Sequence, residues 1–161
     1  MALGERDKQL RNLGSSVILA VWKTGEGMYV AGLGDCRAYR VHQEEIKQLT
    51  VDHNLAQALV ERGAITAEQA KMHRFRNVLW KYLGTRESRE GPEVVAVRVE
   101  AGDHVLLCTP GLTGVVTDEE LLRSVRQHEN AQQCAESLTA LGLSHKSRDN
   151  VSCMVLAVTT K

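Results

Sequence analysis

Apolar positions in this chain alternate or run together in short stretches, and only a few segments repeat them at helical spacing. Ser16-Val17-Ile18-Leu19-Ala20-Val21-Trp22 is apolar and β-branched, Thr24-Gly25-Glu26-Gly27 is a turn signal, and Met28-Tyr29-Val30-Ala31-Gly32 returns as a strand, which predicts a hairpin. Residues 37–41 and 46–49 predict a third and a fourth strand, with a hairpin-like interruption at 42–45. Helical spacing first appears at Leu55, Ala58, Leu59 and Arg62, with Asn54 as cap and Gly63 as stop. Thr66-Ala67-Glu68-Gln69 has the form of a capping box and predicts a second short helix. The basic segment 74–82 carries Val78, Leu79 and Tyr82 on one face and ends at Gly84. After a polar loop at 85–92, residues 94–99 and 105–108 predict two strands around a Gly102-Asp103 turn. The second of them ends in a tight turn that carries Pro110. Asp118 is expected to cap a helix over 119–126, and a further helix over 131–141 is closed by Gly142. A loop at 144–150 leads into a last strand, 151–158.

Strands that arrive in hairpins, rather than alternating regularly with helices, predict an α+β fold: an antiparallel β-sandwich flanked by helices. The first twelve residues are polar apart from Leu3 and Leu10, so 1–12 reads as an arm and 13–161 as one domain. Lys+Arg and Asp+Glu both number 20, so there is no net charge to draw the chain to nucleic acid or an anionic membrane. The charged amino-terminal residues lack the apolar core of a secretory signal, and no apolar run is long enough to span a bilayer. Cys36, Cys108, Cys134 and Cys153 form no C-x-x-C pair. They read as small buried hydrophobes in a reduced, cytoplasmic chain, with Cys36 as core packing.

Candidate chemistry centres on four aspartates at strand ends or turns: Asp35, Asp52, Asp103 and Asp149. Carboxylates brought together at the ends of adjacent strands suit Mg²⁺ or Mn²⁺, which take oxygen ligands. Each alone reads as a turn or cap residue. His53, His73 and His145 have no metal-ligand spacing and are expected to be exposed polar residues. Ser15 and Ser16 have no histidine partner that would make a hydrolase nucleophile. Lys71-Met72-His73-Arg74-Phe75-Arg76 is a basic patch that reads either as a substrate contact or as a solvated face.

Taken together, Leu13-Gly14-Ser15-Ser16, Gly34-Asp35-Cys36-Arg37-Ala38-Tyr39, Leu49-Thr50-Val51-Asp52-His53, Leu106-Leu107-Cys108-Thr109-Pro110-Gly111-Leu112 and Arg148-Asp149-Asn150-Val151 resemble, in order and approximate spacing, the metal-dependent protein serine/threonine phosphatases of the protein phosphatase 2C type. Residues 63–69 and 77–84 are similar to the flap of its bacterial branch. The resemblance covers about 13–158. It implies a β-sandwich holding two Mn²⁺ or Mg²⁺ ions that activate a water against phosphoserine or phosphothreonine. By the same resemblance Asp149 matches a core metal ligand and Asp35 a ligand of a third, weaker ion. Arg74 and Arg76 fall in the substrate-touching flap. Pro110 stands where the family carries the aspartate of S-D-G.

The departures are as specific as the matches. No R-x-x-N-E-D and no D-G-x-G-G precede Leu13, so the family's opening third is missing. One remaining core carboxylate cannot hold two ions about 4 Å apart. These departures predict a pseudophosphatase, with no catalytic residue of its own, that binds a protein partner or a phosphoprotein. The alternative is the carboxy-terminal part of a Mn/Mg-dependent phosphatase. A sandwich short of strands also exposes apolar surface, which predicts a homodimer unless Leu3 and Leu10 cover it.

Overall fold

The computed structural model describes residues 14–24, 27–84 and 91–160. The arm with Leu3 and Leu10, part of the first predicted turn and most of the polar loop lie outside the described residues. Among the described residues seven strands form two antiparallel sheets. The first sheet contains β1 (Val17–Lys23), β2 (Gly27–Leu33) and β5 (Glu93–Val97), in the order β1-β2-β5. The second contains β3 (Arg37–His42), β4 (Glu45–Gln48), β6 (His104–Cys108) and β7 (Cys153–Ala157), in the order β4-β3-β6-β7. The chain leaves the first sheet for the second at Gly34, whose φ of +97° needs a residue without a Cβ. A Cβ there would also lie 2.1 Å from the Ser16 hydroxyl. The antiparallel sandwich expected from the hairpin pattern is the fold observed.

Two apolar layers hold it together. Between the sheets, Met28, Val30 and Val97 of the first face Ala38, Val105 and Leu107 of the second. On the outer side of the second sheet, Tyr39, Val41, Leu106 and Cys108 pack beneath Leu112, Leu121, Val125, Cys134 and Leu138. β6 is therefore buried on both faces, which is why it reads as a continuous apolar run. The covering side chains come from the short helix α3 (Pro110–Thr113) and from α4 (Asp118–Gln127) and α5 (Ala131–Ser144).

The first two helices form as their caps predict. Asn54 accepts from the Gln57 N–H at the start of α1 (Leu55–Glu61), and Thr66 and Gln69 exchange both bonds of a capping box at α2 (Ala67–Lys71). Three local expectations are corrected. The cap of α4 is Thr117, which closes a capping box with Glu120, so Asp118 lies inside the first turn. The basic segment 74–82 forms turns and isolated bridges instead of a regular one-faced element. Gly142 does not end α5, which runs on to Ser144. A Cβ at 142 would come within 2.9 Å of Val151 and 3.1 Å of Leu112, so this glycine provides close helix packing rather than a stop.

Candidate functional site at the strand ends

One end of the second sheet collects most of the candidate residues. Arg37 pairs with Cys108, and Cys108 with Cys153, so the segments just before β3, just after β6 and just before β7 share one edge. Asp35 arrives on the first, Pro110 on the second and Asp149 on the third. Asp103 does not join them. It lies at the other end of β6, roughly 20 Å away along a five-residue strand.

Thr109 ties two of these segments together. Its N–H donates to the Ser152 carbonyl at 3.0 Å, and its hydroxyl lies 3.2 Å from both the Asn150 and the Ser152 carbonyls. The same oxygen accepts the Ser152 N–H at 3.0 Å. Gly111 packs so closely that a Cβ would sit 2.2 Å from the Asn150 carbonyl. Position 110 is thereby seated beside the Asp149-Asn150 turn. Pro110 is the first residue of α3, not part of a strand-ending turn; its missing N–H costs nothing there, because the first N–H groups of a helix have no partner within it. What proline lacks at this position is an oxygen donor. Nothing in the sequence distinguished Thr109, whose role depends on Ser152, 43 residues away.

Asp149 is exposed and accepts the Asn150 N–H at 2.8 Å, while Ser147 braces the turn at both its N–H and its carbonyl. Asp35 exchanges two bonds with Ser16. The Ser16 hydroxyl donates to its carboxylate at 2.6 Å, and the Asp35 N–H donates back at 3.1 Å. Asp52 is engaged by the Arg37 guanidinium through two bonds of 2.8 Å. Burial works against charge on Arg37, but the hydrogen bonds and charges of Asp52 and Tyr39 together outweigh it and hold the guanidinium above its ordinary pKa. Asp103 is fully buried against Arg40 at 2.7 Å and His42 at 2.6 Å. Burial opposes its charge, yet the bonds from Arg40, the Glu100 N–H and His42 hold its carboxyl below the usual range.

His53, expected at the surface, is buried. Its Nδ1 accepts the Gly34 N–H at 3.0 Å, and its backbone N–H donates to the Gly34 carbonyl at 2.8 Å. That makes it the inner support of the turn that presents Asp35. The ring also meets Trp80 edge-on at 5.7 Å, and the Trp80 N–H donates to the His53 carbonyl. Trp80 belongs to a basic segment strapped down by bridges from Asn54 to Leu79 and from Ser15 to Leu83. Within that segment Arg74 and Arg76 are exposed, and Arg74 lies over the Phe75 ring at 4.3 Å. All four cysteines are free. Burial, then Asp35 and Asp52, pushes the Cys36 thiol up to about 11, as suits the packing role expected of it.

The divalent ions that the resemblance implies can be tested against these residues. Among the described residues no group of three or more His, Cys, Asp or Glu is placed to hold a metal. Asp35 is engaged by Ser16 and Asp52 by Arg37, while Pro110 offers no donor beside Asp149. The described residues do not by themselves make a two-metal centre.

Comparison with known proteins gives a consistent result. Residues 4–151 match the protein-family model described as Protein phosphatase 2C. The serine/threonine phosphatase stp of Listeria innocua is 26% identical over 152 residues, which is 94% of this chain and 60% of that protein. The crystal structure of the Mycobacterium tuberculosis serine/threonine phosphatase PstP/Ppp superposes with a TM-score of 0.88 at 29% identity, covering 98% of this chain and 65% of that one. A structure of the PstP catalytic domain in complex with two manganese ions gives 0.83 at 29% identity, covering 98% and 64%. The chain thus spans roughly three-fifths of the length of the first relatives it matches.

Proposed function

Because the chain belongs to the protein phosphatase 2C family, we propose that it forms the carboxy-terminal part of a phosphatase domain that hydrolyses phosphoserine and phosphothreonine. The observation that carries this reading is the seating of the Asp149 turn against position 110 by Thr109, on the edge where the Asp35 turn also arrives. In it Asp149 offers an exposed carboxylate on a braced turn. Arg74 and Arg76 present two guanidiniums suited to a phosphate. His53 joins the Asp35 turn to the segment that carries those arginines. Mn²⁺ or Mg²⁺ is the cofactor this reading calls for, with Asp149 as the carboxylate that would help hold it on this edge. Four free thiols fit a reducing compartment, so the cytoplasm is the proposed location.

Pro110 favours a second reading, in which the chain binds a phosphoprotein or a protein partner without hydrolysing it. One experiment separates the two. Phosphate release from a phosphothreonine peptide is measured with Mn²⁺ for the wild type, Pro110→Asp and Asp149→Asn, alongside calorimetric Mn²⁺ titration. Release by the wild type that Asp149→Asn abolishes supports the phosphatase reading. Peptide binding without release, weakened by replacing Arg74 and Arg76 and accompanied by Mn²⁺ uptake only in Pro110→Asp, supports the second and overturns the first.

A further inference from the structure

Three of the four thiols gather on the helix-covered side of the second sheet, beside the edge that carries Asp149. Cys108 ends β6 and Cys153 begins β7, and the pairing register sets them directly opposite each other on that side. Cys134 reaches the same layer from α5. The next pair along the ladder is Thr109 and Ser152. Here the Thr109 N–H donates to the Ser152 carbonyl at 3.0 Å, and the Thr109 hydroxyl takes the Ser152 N–H. At the opposite end of the ladder, and in the same alternation, the Val158 N–H donates to the Asp103 carbonyl at 2.8 Å. Hydrogen-bonded and non-hydrogen-bonded pairs alternate between antiparallel strands, so Cys108 and Cys153 are a non-hydrogen-bonded pair. Such pairs hold their Cα atoms about 4.5 Å apart, inside the roughly 4.4–6.8 Å that a disulfide spans.

We propose that Cys108 and Cys153 are a reversible redox pair, oxidised by a hydroperoxide to a cross-strand disulfide that pins β6 to β7 one residue from Thr109 and Ser152. Oxidation enters at Cys153, which is half-buried, whereas Cys108 has no exposed surface. The Cys153 sulfur attacks one oxygen of hydrogen peroxide, the O–O bond breaks, and water leaves as the sulfenic acid forms. The Cys108 sulfur then attacks the Cys153 sulfur, the S–S bond forms, the S–O bond breaks, and a second water leaves. In sum the two thiols give up two electrons and two protons, and one peroxide becomes two waters. The Cys153 thiol donates to the Ala135 carbonyl at 3.4 Å, but that carbonyl also accepts the Thr139 hydroxyl at 2.8 Å, so loss of the thiol proton strands no acceptor. Burial raises the Cys108 thiol, and Cys153 raises it further; burial raises the Cys153 thiol too, with the Thr139 hydroxyl offsetting part of that. Few thiolates are therefore present, so oxidation is slow and the pair rests reduced. The Cα spacing lies at the short end of the disulfide range, which leaves the bridge strained and readily reduced by free thiols. Transient bridges of this kind are the ones a reducing compartment permits. Cys134 has no backbone pairing that fixes its distance from Cys153, so the register selects Cys108 as the partner.

The test treats the full chain with excess hydrogen peroxide under native conditions, then quenches, alkylates and maps it by mass spectrometry before unfolding it in urea. The expected result is the loss of two thiols per chain, a bridge between Cys108 and Cys153, and a urea midpoint higher by about 1 M, all reversed by dithiothreitol. Cys153→Ser and Cys108→Ala are expected to abolish both the bridge and the shift, and Cys134→Ala to keep both. Circular dichroism verifies that the variants fold, and mapping of the wild type decides by itself where one does not. Four thiols left after treatment overturn the inference, as does a bridge to Cys134 or Cys36 or between two chains. Cys153 carried to the sulfinic acid without a bridge overturns it too. So does a bridge between Cys108 and Cys153 that leaves the midpoint unmoved.

Discussion

Replacing His53 probes the support of the Asp35 turn. In His53→Ala the buried Gly34 N–H loses its acceptor, which costs about 1–3 kcal/mol. Loss of the edge-on contact with Trp80 adds about 0.5–1.5 kcal/mol. The sum, about 1.5–4.5 kcal/mol, is a large share of the roughly 5–15 kcal/mol that holds a domain of this kind together. pH provides the sharper test. Burial first, and then the nearby Lys81, hold the His53 ring below its ordinary value of 6.5. Folding therefore favours the neutral ring, whose Nδ1 must be unprotonated to accept from Gly34. The contribution of His53 is complete above pH 6.5 and is lost as acid protonates the unfolded chain but not the folded one. Its limiting slope is about 1.4 kcal/mol per pH unit. Urea unfolding between about pH 7.5 and 5.5 is expected to show the gap between wild type and His53→Ala narrowing toward the acid end. His53→Asn, with a side-chain carbonyl as acceptor, is expected to regain about 1 kcal/mol at neutral pH without that slope. A gap that stays constant across the range would refute the neutral acceptor and the assignment of His53 as the support of this turn.

Two further substitutions test the buried carboxylate Asp103 and the packing around Gly142. Asp103→Asn leaves Arg40 and His42 without their buried anion and is expected to cost about 2–4 kcal/mol at neutral pH by denaturant unfolding. Because the folded carboxyl is held below its usual range, the wild-type advantage is present above pH 3.8 and disappears as pH falls through the folded value. Gly142→Ala adds a methyl group within 2.9 Å of Val151 inside a helix. Overpacking of about 1–3 kcal/mol outweighs a helix-propensity gain of up to about 1 kcal/mol, so thermal unfolding is expected at a lower temperature. A glycine acting only as a helix stop would give no such loss.

The order of strands, the hairpins and the caps at Asn54 and Thr66 were legible in the amino-acid string, because periodicity, turn chemistry and capping act over a few neighbouring residues. The family was legible too, since its motifs are short and come in order. Apart from the cap of α4, read one residue late, misreadings fell where a residue's role depends on a distant partner. Asp35, Asp103 and Asp149 look alike as turn aspartates, yet the register of β3, β6 and β7 brings two of them to one edge and sends Asp103 to the other. Gly142 looks like a helix end until Val151 and Leu112 pack against it. His53 looks like a surface residue until the crossover at Gly34 folds over its ring. Pro110 stood out in the string as a residue without a side-chain oxygen where the resembled family carries an aspartate. Only the folded chain showed why proline is tolerated there, at a helix start whose N–H needs no partner, and that Thr109 seats it beside Asp149. Local chemistry writes the elements. Which strand ends meet, and so which side chains share a site, is decided by pairings across tens of residues that no short window contains.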